Sequence, residues 1–311
     1  MRRLPTLASL LGVAGVLAVL PFLLSAYHVS LVAKVGIFFI GVLGLNILTG
    51  YTGQISIGHG AFMAIGGYTT AVLSRDHNMN LVVTMLAAFA LCFVFGVLVG
   101  LPALRFSGVY LALVTFALAV SVPQLPLKWS KFLGGRDGVQ TSRTVSHLWL
   151  YGAAWTASAI LFVLAWLILR GRIGRAFRAV RDSEIAAVAS GVELPLYKTL
   201  AFGISAAYAG VAGSLFVLAT NGFAAPDEFG VVLSLELLIG AAVAGLGSLW
   251  GILAGAAFVG LLPAVSTSVP VIGSEHGRDV VFGAAVIVVM LLLPDGFAGL
   301  LAGIRRRLVR A

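Results

Sequence analysis

The chain has 311 residues, of which 60% are hydrophobic and 10% charged, with a mean hydropathy of +1.08. A soluble domain carries about a quarter charged residues and could not hide this much apolar surface, so the composition excludes a soluble globular protein. One cysteine, Cys92, excludes an internal disulfide and any cysteine-built zinc or iron–sulfur centre. The formal charge of +9 reads as arginine marking one membrane face rather than as a nucleic-acid surface.

Taken in chain order, apolar stretches long enough to approach a ~30 Å hydrocarbon core fall at 7–25, 31–49, 61–75, 81–101, 109–126, 148–169, 200–220, 231–248, 251–269 and 280–298. The fold class is therefore an all-α integral membrane protein. It forms one transmembrane domain over 1–311, with about ten segments, or eight full spans with broken or re-entrant pieces. The first stretch has a longer apolar run than a signal peptide and no clear cleavage site, so it reads as a retained span. With the N-terminus inside, thirteen of the twenty basic residues fall in inner segments, which predicts both termini cytoplasmic.

Residues 50–68, GYTGQISIGHGAFMAIGGY, interrupt this pattern. Six of the nineteen are glycine, and Gln54, Ser56 and His59 are polar without permanent charge. Irregular backbone at membrane depth must be buried in protein or line a water-filled cavity. Two readings follow. Gly53, Gln54, Ser56, Gly58 and His59 form a broken helix beside a translocation path, or the stretch is a turn whose glycines serve helix packing. A related pattern, GSLWGILAGAAF at 247–258, echoes GQISIGHGAF at 53–62, a weak internal repeat of the kind many transporters place around a central site.

The long outer loop is 127–147. The long inner loop is 170–199, where Ile173, Phe177 and Val180 recur at helical spacing and Arg175, Arg178 and Arg181 occupy other faces. Ser190-Gly191 predicts a helix stop. Glu236 is the lone acid of an apolar span. It is either functional, as intramembrane carboxylates usually are, or close enough to the outer end to reach interfacial water. No G-x-x-x-x-G-K-[ST] occurs, so the chain carries no P-loop of its own.

Five landmarks, in order, are similar to one family. GYTGQISIGHGAFMAIGGYTTAVL resembles the signature region of LivM-type permeases of branched-chain amino acid ABC transporters. FLGGRDGVQ resembles their outer loop, and GRAFRAVRDSEIAAVASGVELPLYK their cytoplasmic coupling loop. SLELLIGAAVAGLGSLWGILAGA and LLLPDGFAGL resemble the segments that follow. Within the coupling loop, Ala186, Ala187 and Gly191 fit the importer pattern E-A-A-x-x-x-G. Ile185 holds the Glu position, and Glu184 stands one residue earlier.

The resemblance implies a transport subunit of the bacterial inner membrane, without covalent chemistry or a metal or cofactor of its own. ATP and Mg²⁺ would be used by two cytoplasmic ATPases. A second, LivH-type permease and an external binding protein would complete the assembly. The substrate would be a branched-chain or related amino acid, or, within the same family, urea or a short amide. An ion-coupled secondary transporter using Glu236 is the rival from another class.

Overall fold

The computed structural model describes residues 20–21, 23–106, 108–267, 275–293 and 296–299. The predicted span at 7–25 and the terminal arginines used to orient the chain lie almost wholly outside these residues. Helices cover every other predicted stretch. They are α1 (Ala26–Leu45), α2 (His59–His77), α3 (Leu81–Ala103), α4 (Val109–Ser121), α5 (His147–Arg170), α6 (Arg172–Asp182), α7 (Glu184–Ala189), α8 (Leu194–Ala219), α9 (Val231–Ala244), α10 (Ile252–Thr267) and α11 (Glu275–Leu292). Alanine, leucine and valine fill them on all faces, as suits helices set in protein and lipid rather than half in water.

Among the described residues five stretches are long and apolar enough to cross a membrane: Ala26–Tyr51, Leu81–Ala103, Val109–Lys128, His147–Arg170 and Leu194–Ala219. The expected count of about ten is not reached by this measure. α9 and α10, with 14 and 16 residues, extend only about 21 and 24 Å at 1.5 Å per residue. α2 gives up its last turn to Arg75, Asp76 and His77.

α8 is the axis of the bundle, packed on α1, α2 and α3. It meets α2 at backbone distance. There is no room for a Cβ at Gly66 against Gly210, or at Gly213 against Met63. Small residues at such crossings let helices gain dispersion contacts that lipid cannot offer. One turn further, the hydroxyls of Thr70 and Ser214 lie 2.6 Å apart. The outer faces of α3, α4 and α5 stay apolar and open, with Leu86, Val109 and Ile160 each more than 60% exposed.

Chain direction alternates, so the connections gather at two ends. One end holds 46–58, 104–108, the arginine-rich 170–193 and the 245–251 turn. The other holds 78–80, 129–146 and 220–225. There the expectation of an all-helical chain needs one amendment. Val139–Gln140 pairs antiparallel with Phe223–Ala224, and the Thr141 amide donates to the Gly222 carbonyl at 2.7 Å. The left-handed glycines 134, 135 and 138 turn the loop so that it can pair, and residue-level helical periodicity carries no trace of that pairing.

Gly213→Leu should destabilise the fold by roughly 1–3 kcal/mol or more through overpacking. Gly152→Ala, whose Cβ meets nothing within 4 Å, should be silent. Thermal melting of the two variants in the same detergent checks the contrast. Equal melting temperatures would refute the close crossing.

Candidate functional site

α1 does not end as an α-helix. Its last turn widens into a π-helix, Asn46–Tyr51, and the chain then runs without regular structure through 53–58 before α2 begins at His59. π-turns leave backbone groups poorly paired and recur at functional sites. Here side chains supply much of the pairing, beside one backbone bond from the Gln54 amide to the Leu48 carbonyl at 3.3 Å. Thr52 Oγ1 donates to the Leu48 carbonyl at 2.6 Å, and Thr49 Oγ1 to the Gln54 carbonyl at 3.1 Å. Gln54 Nε2 donates to Thr52 Oγ1 at 2.9 Å.

The start of α2 is closed in the same way. The Ile57 amide donates to Thr115 Oγ1 on α4 at 2.9 Å, and the Gly58 amide to Ser56 Oγ at 3.3 Å. The Gly60 amide donates to Ser234 Oγ on α9 at 2.8 Å. His59 is fully buried. Ser205 Oγ on α8 donates to the Gly44 carbonyl at 2.6 Å and stands 2.7 Å from His59 Nε2. With its one proton committed to Gly44, the serine accepts, and the ring donates through Nε2. Nδ1 then faces the Ser56 hydroxyl at 3.5 Å.

The predicted pathway residues are thus brought together, and most face inward. Gln54, Ser56, Gly58 and His59 are buried with bonds made inside the chain, whereas Gly53 and Ile55 are exposed. Glu236 is half-buried on the second turn of α9, two residues on from Ser234.

A second break stands beside the first. α9 ends at Ala244, and an irregular turn leads to α10. Asn46 spans the two: Nδ2 donates to the Ser248 carbonyl at 2.8 Å, and the Gly247 amide donates to Oδ1 at 2.9 Å. Gly53 and Gly247, equivalent in the sequence echo, both have left-handed backbone, at φ 72° and 80°. A Cβ at either would meet Arg181.

Arg181 comes from α6 in the inner loop. Its Nη1 donates to the Gly50 carbonyl at 2.6 Å, so one guanidinium lies against both breaks. Two further tethers hold this loop. Arg178 Nη1 donates to the Leu169 carbonyl at the end of α5, 3.1 Å away. Glu184 on α7 pairs with the buried Lys198 of α8 at 2.6 Å. Phe177 and Val180 anchor α6 in the core, and Ile173 is half-buried beside them. Ser190-Gly191 ends α7 as predicted: Gly191 is left-handed, and the Val192 amide donates back to the Ala187 carbonyl at 2.9 Å.

Arg178, Arg181 and Glu184, all expected at a partner's surface, are exposed, and each also makes a bond to this chain. Ile185, in the motif's Glu position, is 86% exposed, Arg175 and Ala186 are exposed too, and Ala187 is buried. A groove of about 630 Å³ opens beside them, lined by Leu104, Val188, Pro195 and the Glu184–Lys198 pair among others.

Residues 27–291 match the family model described as branched-chain amino acid transport system, permease component. The chain belongs to that family. The permease is 30% identical to the high-affinity branched-chain amino acid transport system permease protein LivM of Escherichia coli (strain K12), over 89% of this chain and 71% of that one. It is 29% identical to LivM of Salmonella typhimurium over the same shares. LivH of the latter organism is 24% identical, over 83% of this chain and 89% of its own. No solved structure matches the permease.

Sequence reasoning missed Asn46, Thr115, Ser205 and Ser234, although each is a lone polar residue in an apolar run. That was the available signal, since a polar side chain at membrane depth needs a partner. Asn46→Leu should strand the Gly247 amide and Ser248 carbonyl, each at about 1–3 kcal/mol. The measurement is the melting temperature, with Asn80→Leu at an exposed helix cap as the milder control. A shift no larger than the control's would mean that the two breaks hold together without Asn46.

Proposed function

We propose that this chain is one permease subunit of an ATP-driven importer of branched-chain or related amino acids in a bacterial inner membrane. Its partners are a LivH-type permease, two cytoplasmic ATPases that use ATP and Mg²⁺, and an external binding protein. The family supports the substrate class, and the similarity to both LivM and LivH supports a paired assembly. The arginine-rich end is cytoplasmic by the Lys/Arg bias.

The observation that carries the mechanism is Arg181. The loop proposed to meet the ATPases is fastened to α5, to α8 and, through Arg181, to both helix breaks. Exposed Ile185, Ala186 and Arg175 meet the ATPase, and closure of the ATPases pulls on α6 and α7. The pull reaches the backbone at Gly50 and Gly247, where irregular chain bends more easily than helix. Gly53, Gln54, Ser56, Gly58 and His59 shape the wall of the path there. No metal and no bond-making chemistry is required of this chain. Glu236 stays outside this route, which is how the reading differs from an ion-coupled transporter.

Arg181→Gln in the complete complex, in proteoliposomes with binding protein and L-leucine inside-out to the ATPases, should lower transport about tenfold or more, the size of a typical coupling term. ATPase binding to the permease should remain. Unchanged transport would refute the Arg181 route. Transport by this chain alone, driven by an ion gradient without ATPases, would refute the importer reading. Transport of urea or acetamide in place of L-leucine would keep the machine and change its cargo.

A further inference from the structure

At the end of the bundle opposite the arginine-rich loop, α3 and α5 begin side by side. Leu81, the first residue of α3, and Leu150, on the first turn of α5, share one buried cluster with Leu218 of α8. Between the two helix starts lies an open cavity of about 290 Å³, roughly ten times the ~30 Å³ share of one water. Its apolar lining is Leu81, Val145 and Trp149, and the tryptophan is 37% exposed.

The polar lining is Asn80, Arg143, Thr144 and Ser146. Two of these already act as acceptors. Asn80 Oδ1 accepts from the Val82 amide at 2.9 Å and caps α3. Ser146 Oγ accepts from the Trp149 amide at 3.2 Å and caps α5. What they have left to offer is hydrogen, on Asn80 Nδ2 and on the Ser146 hydroxyl. Arg143 is fixed in place. Its Nε donates to Asn78 Oδ1 at 3.1 Å and its Nη2 to the Asn78 carbonyl at 3.4 Å, and Asn78 itself is held in left-handed backbone at φ 46°. Its own carbonyl accepts from Thr141 Oγ1 at 3.0 Å. A guanidinium has five N–H donors, so three remain after Asn78 is served. Among the described residues no carboxylate lines the cavity. Donors set around one fixed positive charge, where two membrane-crossing helices begin, are the complement of a phosphate ester.

We propose that this cavity binds the phosphate of an anionic phospholipid from the surrounding leaflet. The guanidinium takes phosphate oxygens as a fork, and Asn80 Nδ2 and the Ser146 hydroxyl take the rest. Trp149 lies at headgroup level, where tryptophan is enriched in membrane proteins. From Trp149 an exposed stripe continues down α5 through Gly152, Thr156 and Ile160, spaced for one helix face. A Cβ at Gly152 would meet nothing within 4 Å, so the stripe offers an open track for an acyl chain. That track favours a lipid over a free anion or an acidic protein surface. The headgroup follows from the lining. An ammonium would find no carboxylate there, so phosphatidylglycerol is preferred to phosphatidylethanolamine. The lipid ties both helix starts to the base of the outer loop, where Thr141 already bonds to Gly222.

The test uses the full-length permease, delipidated in detergent and titrated with dioleoyl lipids, with bound lipid counted by native mass spectrometry. The unaltered chain should bind phosphatidylglycerol about tenfold more tightly than phosphatidylethanolamine, and Arg143→Gln should remove that preference, as loss of charged hydrogen bonds predicts. Arg136→Gln, elsewhere in the exposed outer loop, should change nothing. If Arg143→Gln fails to fold, Arg143→Lys decides: it keeps the charge without the fork and should still weaken phosphatidylglycerol binding about threefold. Equal binding of the two lipids, or phosphatidylglycerol binding indifferent to Arg143, would overturn the site. Inorganic phosphate that raises the melting temperature as much as the lipid does, and only with Arg143 present, would assign a free anion and overturn the lipid. An Arg143→Gln variant that keeps the lipid and loses the external binding protein would assign the arginine to protein docking instead.

Discussion

Backbone at membrane depth has no water to bond with, and the rest of this structure depends on how that demand is met. Among the described residues, the stretches at 46–58 and 245–251 leave regular α-helix side by side. Each unpaired amide or carbonyl in hydrocarbon would cost several kcal/mol. The chain meets the demand with a small set of polar side chains drawn from many helices. Asn46 joins the two breaks, Thr115 comes from α4, Ser205 from α8, Ser234 from α9, and Arg181 from the loop outside the bundle. A helix bundle held mainly by non-directional packing thereby acquires a fixed register at one end.

That solution gives the breaks a mechanical meaning. A fully α-helical crossing resists bending because every turn repeats the same hydrogen bonds. The π-turn and the irregular 53–58 segment hold together through side-chain bonds that can be exchanged one at a time. Arg181 reaches both breaks while belonging to a separate helix. Its flexible stem and planar head suit it to hold a carbonyl while the helix behind it shifts, as a lysine's single point charge would not. The Glu184–Lys198 pair differs in kind. Lys198 is 8% exposed in its side chain and Glu184 47%, so the pair sits at a water boundary and adds little stability of its own. Its effect is to fix the direction in which α7 leaves α8.

The helical fold and the two ends of the bundle were legible in the sequence, because apolar runs and arginine bias are long-range signals that need no contact information. The left-handed Gly53 and Gly247 were visible as an echo, and the Gly191 stop was visible as punctuation. What could not be read was partnership. His59 and Ser56 looked like free polar groups because their acceptors and donors lie 146 residues away in Ser205 or locally in backbone. Arg178 and Arg181 are surface charges, as they read in the sequence, but their bonds to the Leu169 and Gly50 carbonyls could not be read, because carbonyls leave no mark in a sequence. The short strand pair, joining 139–140 to 223–224, depends on a turn made by glycines that also occur throughout the transmembrane helices.

The same difference separates two buried polar groups of the molecule. Around the helix breaks the named side chains are spent on groups of the chain itself, backbone or side chain, so removing one should loosen the fold before it alters selectivity. Around Phe38, Phe216 and Phe229 the Tyr68 hydroxyl and Glu228 Oε2 are buried without a hydrogen-bond partner, at a cost the fold does not recover internally.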